Sequence, residues 1–244
     1  STATTKDSKD LSQAGLRILE GCRVLDLSTV VAAPSCTRVL SEYGADVIKV
    51  EKPGTGDDTR SWGPPFLDDD AGALSGESAY YLSSNRNKRS LAIDITSDKG
   101  QALIHRLVRH CDVMVQNFKV GGLAKYGLDY ATMIASNPAI IYCSISGFGQ
   151  DGPLATRPGF DQIAQGMGGL MSITGAPGEG PMRVGIPIAD LTAGGFAAQG
   201  VLLALLGREK TGAGQWVQTS LLQAQIAMLD FQATRWLMDG DVPD

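Results

Sequence analysis

The chain has 244 residues, 43% of them hydrophobic, with 30 glycines and a formal net charge of −5. That length allows one large domain or two small ones, and the composition fits a soluble α/β protein. The acidic balance argues against a general nucleic-acid binder but leaves room for a local basic pocket that takes phosphates.

Residues 1–18 are mostly polar and read as a disordered or tag-like N-terminus, either a tag remnant or the start of a processed chain, with no signal peptide. Arg23 to Ser28 is a first strand, Pro34 to Tyr43 a helix and Asp46 to Glu51 a second strand, which together make a β-α-β unit with a right-handed crossover. Glu51 ends the second strand where a ribose-binding acid of a dinucleotide fold would lie. The first turn, Thr29 to Pro34, lacks the three glycines that a pyrophosphate needs, so a nicotinamide site is not expected. Gly54 to Phe66 is a turn-rich loop carrying Arg60 and Trp62, and Asp68 to Gly76 extends it. A short helix from Ser78 ends at a basic cluster, Arg86, Lys88 and Arg89, which reads either as a solvated turn or as a phosphate contact.

Ser90 to Thr96 is a third strand. Ser97 to His110 is an amphipathic helix, and Cys111 to Gln116 a fourth strand with Asn117 and Phe118 at its carboxyl end, where open α/β sheets place ligands. Tyr130 to Ser136 is a helix and Ala139 to Ile145 a fifth strand. Phe148 sits between glycines, either as turn chemistry or as a flat contact for a ring. Phe160 to Leu170 reads as a helix and Val184 to Ala189 as an apolar strand. Leu191 to Leu206 is a buried helix of small and apolar residues. Arg208 to Gly214 is a polar, hairpin-like turn, Gln215 to Ser220 a strand, and Leu221 to Met238 one long helix. Helices and strands alternate throughout, so the expected fold is α/β, a mostly parallel sheet with helices on both faces.

Cys22, Cys36, Cys111 and Cys143 are scattered without a C-x-x-C, which reads as a reduced compartment with thiols acting as small hydrophobes. His105 and His110 share one expected helix and make no metal set, so no metal is expected. The longest apolar run, Val201 to Leu206, is too short to span a bilayer, and no membrane association is expected.

Asp190 stands where the expected strand meets the buried helix. One reading makes it the helix N-cap, since Asp is among the best caps. The other makes it a nucleophile, since a carboxylate can attack an activated carbonyl and form a covalent intermediate. The two are compatible.

Several segments together resemble the family III CoA-transferases, the carnitine/bile-acid (CaiB/BaiF) type. They are Leu19 to Leu27, Gly44 to Glu51, Pro53 to Arg60, Asn85 to Ser90, Asp112 to Phe118, Gly147 to Pro153, Ala189-Asp190 and Lys210 to Gln215. Each is weak alone, but the ordered set from Leu19 to Met238 is specific. The resemblance implies a reaction in which Asp190 attacks an acyl-CoA thioester, becomes an aspartyl-CoA thioester and passes CoA to a free carboxylic acid. It carries CoA binding onto Val31, Ala32, Lys52, Ile93, Asp94, Asn117, Phe118 and Lys125, with CoA or acyl-CoA as substrate and no tightly bound cofactor. It implies an interlocked homodimer in the cytoplasm, or in the mitochondrial matrix of a eukaryote.

The same resemblance makes 19–238 the CoA-binding catalytic large domain, and 239–244 the start of a linker to a smaller domain that family chains carry next. The loop with Arg60 and Trp62 resembles that of dicarboxylate-using members, succinyl-CoA:glutarate transferases among them. Two alternatives stand beside the transferase. Acyl-CoA racemases resemble this chain but pair the Asp with a His in the segment that here reads Gly159-Phe160-Asp161, so one of two bases is missing. A non-catalytic CoA-binding subunit would need a partner chain with the remaining domain.

Overall fold

In this computed structural model the described residues are 17–68 and 74–242. Most of the expected N-terminal tail, 1–18, therefore lies outside them, as do residues 69–73 of the loop extension and the last two of 239–244. Eight strands are described: β1 (Arg23–Asp26), β2 (Asp46–Glu51), β3 (Phe66–Asp68), β4 (Leu74–Ser78), β5 (Lys88–Ala92), β6 (Val113–Gln116), β7 (Ile141–Ser146) and β8 (Gln215–Ser220). Six of them form one sheet in the order β5-β2-β1-β6-β7-β8, and every pair in it is parallel.

The helices are α1 (Ala32–Glu42), α2 (Ala79–Asn85), α3 (Asp98–Val108), α4 (Tyr130–Ser136), α5 (Asp161–Met167), α6 (Ile188–Thr211), α7 (Leu221–Ala227) and α8 (Phe231–Asp239). Successive strand residues point to opposite faces, and this splits the core in two. Val24, Val113, Val115, Ile141 and Cys143 join α1 and α6 on one face. Leu25, Met114 and Tyr142 join α3 and α4 on the other. The chain builds outward from β1 through β2 to β5, then returns to β6 and builds the other way. The order reverses between β1 and β6, and the crevice at their carboxyl ends is where such sheets bind ligands.

The close seam of the fold is α1 against α6. A Cβ on Gly194 would lie 2.4 Å from the Ala32 carbonyl oxygen, so only glycine allows this approach. Helix α6 is longer than the apolar run read from the sequence. Among the described residues it is the one helix long and apolar enough, at mean hydropathy 1.5, to cross a bilayer by length and composition. Here one side of it packs against α1, α7 and β8, while Phe196, Leu203 and Leu206 are exposed, so it is not buried all round as its composition suggests.

Four local expectations are corrected. Val184 to Ala189 is not a strand: β8 takes the place beside β7, and Pro187 stands at the N-cap of α6. Residues 208–211 continue α6 as helix, which ends at Gly212 with φ +72°. The single helix over 221–238 is two, α7 and α8, broken at Asp230 with φ +48° where no Gly or Pro marks a stop. The loop after Gly54 contains an antiparallel pair, β3 with β4.

The basic cluster divides, with Arg86 and Arg89 exposed and the Lys88 side chain buried. Asn87, at φ +63°, turns the chain into β5, and all three charges are engaged within the fold. Arg86 pairs with Glu42, and Arg89 with Asp46 at 2.6 Å. Lys88 is buried, 3.1 Å from Asp26, and donates to the Pro34 carbonyl at 2.9 Å. Burial pushes the Lys88 ammonium down to about 8, against the pull of Asp26. Burial raises the Asp26 carboxyl, but Lys88, Lys49, Ser28 and Thr37 together hold it below its ordinary value.

Candidate active site

Two cavities open at the carboxyl ends of the strands. The larger is about 850 Å³ and is lined by Lys52, Ile93, Asp94, Phe118 and Lys125, five of the nine residues singled out in the sequence. The smaller is about 190 Å³ and is lined by the other four, Val31, Ala32, Asn117 and Asp190. Thr29 lines both. In the large cavity the Lys52 ammonium lies 3.6 Å from Asp58, both side chains exposed. Lys125 Nζ stands 4.7 Å from the centroid of the Tyr126 ring. Phe118 is held by its own backbone N–H, which donates to Gln116 Oε1 at 2.7 Å.

In the small cavity, the β1–α1 turn faces the start of α6. Asn117 accepts the Thr29 N–H at 3.0 Å and donates to the Thr29 carbonyl at 2.7 Å. Helix α1 begins without a side-chain cap. Its first N–H groups and the positive end of its dipole therefore meet the cavity that Val31 and Ala32 line. Gly147 and Gly159 touch along their backbones, and a Cβ on Gly147 would lie 2.4 Å from the Gly159 Cα.

Asp190 is the third residue of α6 and not its N-cap. The capping oxygen belongs to Asp161. Its Oδ1 accepts from the N–H of Ala189 at 2.7 Å and of Asp190 at 3.2 Å, while Oδ2 accepts from Gln165 Nε2 at 2.6 Å. Asp190 is thus free of the structural task the sequence offered it, and among the described residues its carboxylate has no hydrogen-bond partner. Burial, and then the charge of Asp161, push its carboxyl up to about 7. Tyr80 is raised as well, by burial and then by the fields of Asp190 and Asp161. Its ring meets Trp62 edge-on, centroids 5.1 Å apart.

Arg60 is not free to receive a ligand carboxylate. It forms a two-pronged bond to Glu51 at 2.7 and 2.8 Å, and donates to Tyr81 Oη at 2.7 Å. Glu51 also accepts from Ser90 and from the Asp57 N–H. Burial works against its charge, yet these donors, Arg60 foremost, hold its carboxyl down to about 2. This ties up the one acid where a dinucleotide fold would seek a ribose. His105 lies 3.4 Å from Ser136 Oγ, between α3 and α4.

Sequence reasoning passed over Asp161 and Tyr80. In the sequence Asp161 stands only as the neighbour of a missing His, and its capping role depends on Ala189, 28 residues away. For Tyr80 no local signal existed.

Residues 19–244 match the model of CoA-transferase family III. The chain belongs to CoA-transferase family III. A succinate–glutarate CoA-transferase of Agrobacterium fabrum is 48% identical over 226 residues, covering 92% of this chain and 56% of that protein. The human succinyl-CoA:glutarate CoA-transferase is 44% identical over 223 residues, covering 91% and 49%. A crystal structure of a CaiB/BaiF family protein from Brucella suis superposes with a TM-score of 0.89 at 44% identity, covering 93% of this chain and 59% of that one. The chain thus spans about half the length of the family III relatives it matches.

Proposed function

We propose that the protein containing this chain transfers CoA from an acyl-CoA to a free carboxylic acid, with Asp190 as covalent nucleophile. The observation that carries this reading is the Asp190 carboxylate, uncommitted to any cap, at a helix N-terminus in a small cavity that shares Thr29 with a large one. The Asp190 carboxylate attacks the thioester carbonyl, giving a mixed anhydride and the CoA thiolate. The thiolate attacks the aspartyl carbonyl, releasing the donor acid and leaving an aspartyl-CoA thioester. The acceptor carboxylate attacks that thioester and forms a second anhydride, and the thiolate then takes the acceptor's acyl carbon, restoring Asp190. No electrons are gained or lost overall.

The uncapped first turn of α1 supplies N–H groups where negative charge develops. Phe118 offers a flat face to adenine, and Lys52 and Lys125 meet phosphates. The relatives are named for succinyl-CoA and glutarate, which supports succinyl-CoA as donor and a dicarboxylic acid as acceptor. That choice rests on the relatives and not on Arg60, which Glu51 occupies. We further assign 19–238 as the CoA-binding domain, 239–244 as the lead into a smaller one, and an interlocked homodimer as the working form. Four free thiols support a reducing compartment.

The test is peptide mass mapping after the longest natural form of this chain meets succinyl-CoA, with and without hydroxylamine. CoA or hydroxamate mass on the Asp190 peptide is expected, and neither on an Asp190→Asn variant. An unmodified Asp190 in a protein that still binds CoA ends the covalent reading.

A further inference from the structure

The wall between the two cavities is a strained turn. Val30, at its centre, has φ of +70°, a left-handed conformation that residues branched at Cβ avoid. Nothing in Thr29-Val30-Val31 favours it, so tertiary contacts must hold it. Asn117 takes both backbone groups of Thr29. On either side of Thr29 the work falls to two residues for which the reaction above has no use. Lys49 Nζ donates to the Ser28 carbonyl at 2.7 Å, and Asp57 Oδ1 accepts the Val30 N–H at 3.4 Å. The two form an ion pair at 2.9 Å, with side chains 1% and 0% exposed.

A buried ion pair is poor value as a stabiliser, because two charges must be stripped of water and an apolar pair of similar volume commonly does as well. An apolar pair here would fill the space but could hold neither the Ser28 carbonyl nor the Val30 N–H. Asp57 comes from the loop after β2, where the same Oδ1 also accepts the N–H and the hydroxyl of Thr59 at 3.0 and 2.8 Å, and Lys49 comes from β2 itself, so the pair ties both the turn and that loop to the sheet.

We propose that the buried Lys49–Asp57 pair positions the β1–α1 turn for the reaction at Asp190, holding Val30 in its left-handed conformation so that the first turn of α1 faces the carboxylate. The inference rests on the transferase reading above. Lys49 and Asp57 also border the large cavity, but with side chains 1% and 0% exposed they act through the turn and not on the substrate, so they are positioning residues.

The experiment compares the longest natural form of the protein with its Lys49→Met/Asp57→Leu variant, which leaves no unpaired charge. The rate of CoA loading onto Asp190 from succinyl-CoA is followed by single-turnover mass measurement, and CoA affinity by calorimetry. Loading is expected to slow by about tenfold or more, as misplacing a reacting geometry does, while the dissociation constant for CoA changes by less than about threefold. Adding Val30→Gly, which adopts a positive φ without strain, is expected to restore most of the rate. A role confined to stability would lower the denaturation midpoint and leave the loading rate of the folded protein unchanged. Loading at the parent rate, or a loss that Val30→Gly leaves untouched, overturns the inference while the transferase reading stands. A parent protein that never loads Asp190 overturns both. Where the double variant does not fold, Asp57→Ala, which removes the acceptor of the Val30 N–H, gives the same reading: slower loading recovered by Val30→Gly supports the inference, and an unchanged rate overturns it.

Discussion

Asp190 and Asp161 divide between them two tasks that the sequence offered to one residue. Asp161 caps α6 with Oδ1, and its charge, after burial, helps keep Asp190 protonated up to about pH 7. In the proposed reaction Asp190 must be ionised, so kcat/KM is expected to rise with pH on an acid limb near 7 and to level off above it. In Asp161→Asn the amide oxygen still accepts the two N–H groups, but the charge is gone. The limb should move to lower pH, though not to the ordinary carboxylate value, because burial is the larger cause and remains. Rate profiles of the two proteins check this. A limb that stays in place when Asp161 loses its charge would sink the account of the pair.

At the scale of elements, packing replaces titration. Helix α6 brings Asp190 to the cavity only because α1 lies against its backbone at Gly194. Gly194→Ala would drive a Cβ to within 2.4 Å of the Ala32 carbonyl, an overpacking that costs about 1–3 kcal/mol. A lowered denaturation midpoint together with slower CoA loading is expected, since the shift moves the two walls of the small cavity apart. An unchanged midpoint would mean the seam is looser than described.

The elements themselves were largely legible, because β2, α4 and β8 fall on strong periodic runs with turn residues at their ends. The resemblance and the sheet order together brought nine residues to two adjoining cavities. What stayed hidden depended on partners distant in sequence. Val184 to Ala189 has a strand's composition but no slot beside β7. Asp230 breaks a continuous helical pattern without a breaker residue. Nothing in the sequence sets Lys49 apart within its strand, and Lys88 reads as a solvated turn or a phosphate contact, until Asp57 and Asp26 are seen beside them, buried.

At the scale of the molecule, α8 stands apart from this economy. It is nine residues long and buries none of them, with Phe231, Trp236, Leu237 and Met238 between 53% and 82% exposed. A helix that short is marginal in water without a surface to pack on. Burying large apolar side chains contributes roughly 1.5–3 kcal/mol each, ample for α8 to be held by a neighbour. Within the proposed homodimer that neighbour is the second copy. Sedimentation of the longest natural form should therefore show a dimer. Leu237→Glu/Met238→Glu, which places two carboxylates in that contact, is expected to raise the dissociation constant by at least about a hundredfold, the equivalent of losing one such side chain's burial. CoA loading should fall with it, because the working site is assigned to the assembled form. A variant that sediments as the parent does, at every concentration, would place α8 outside the interface.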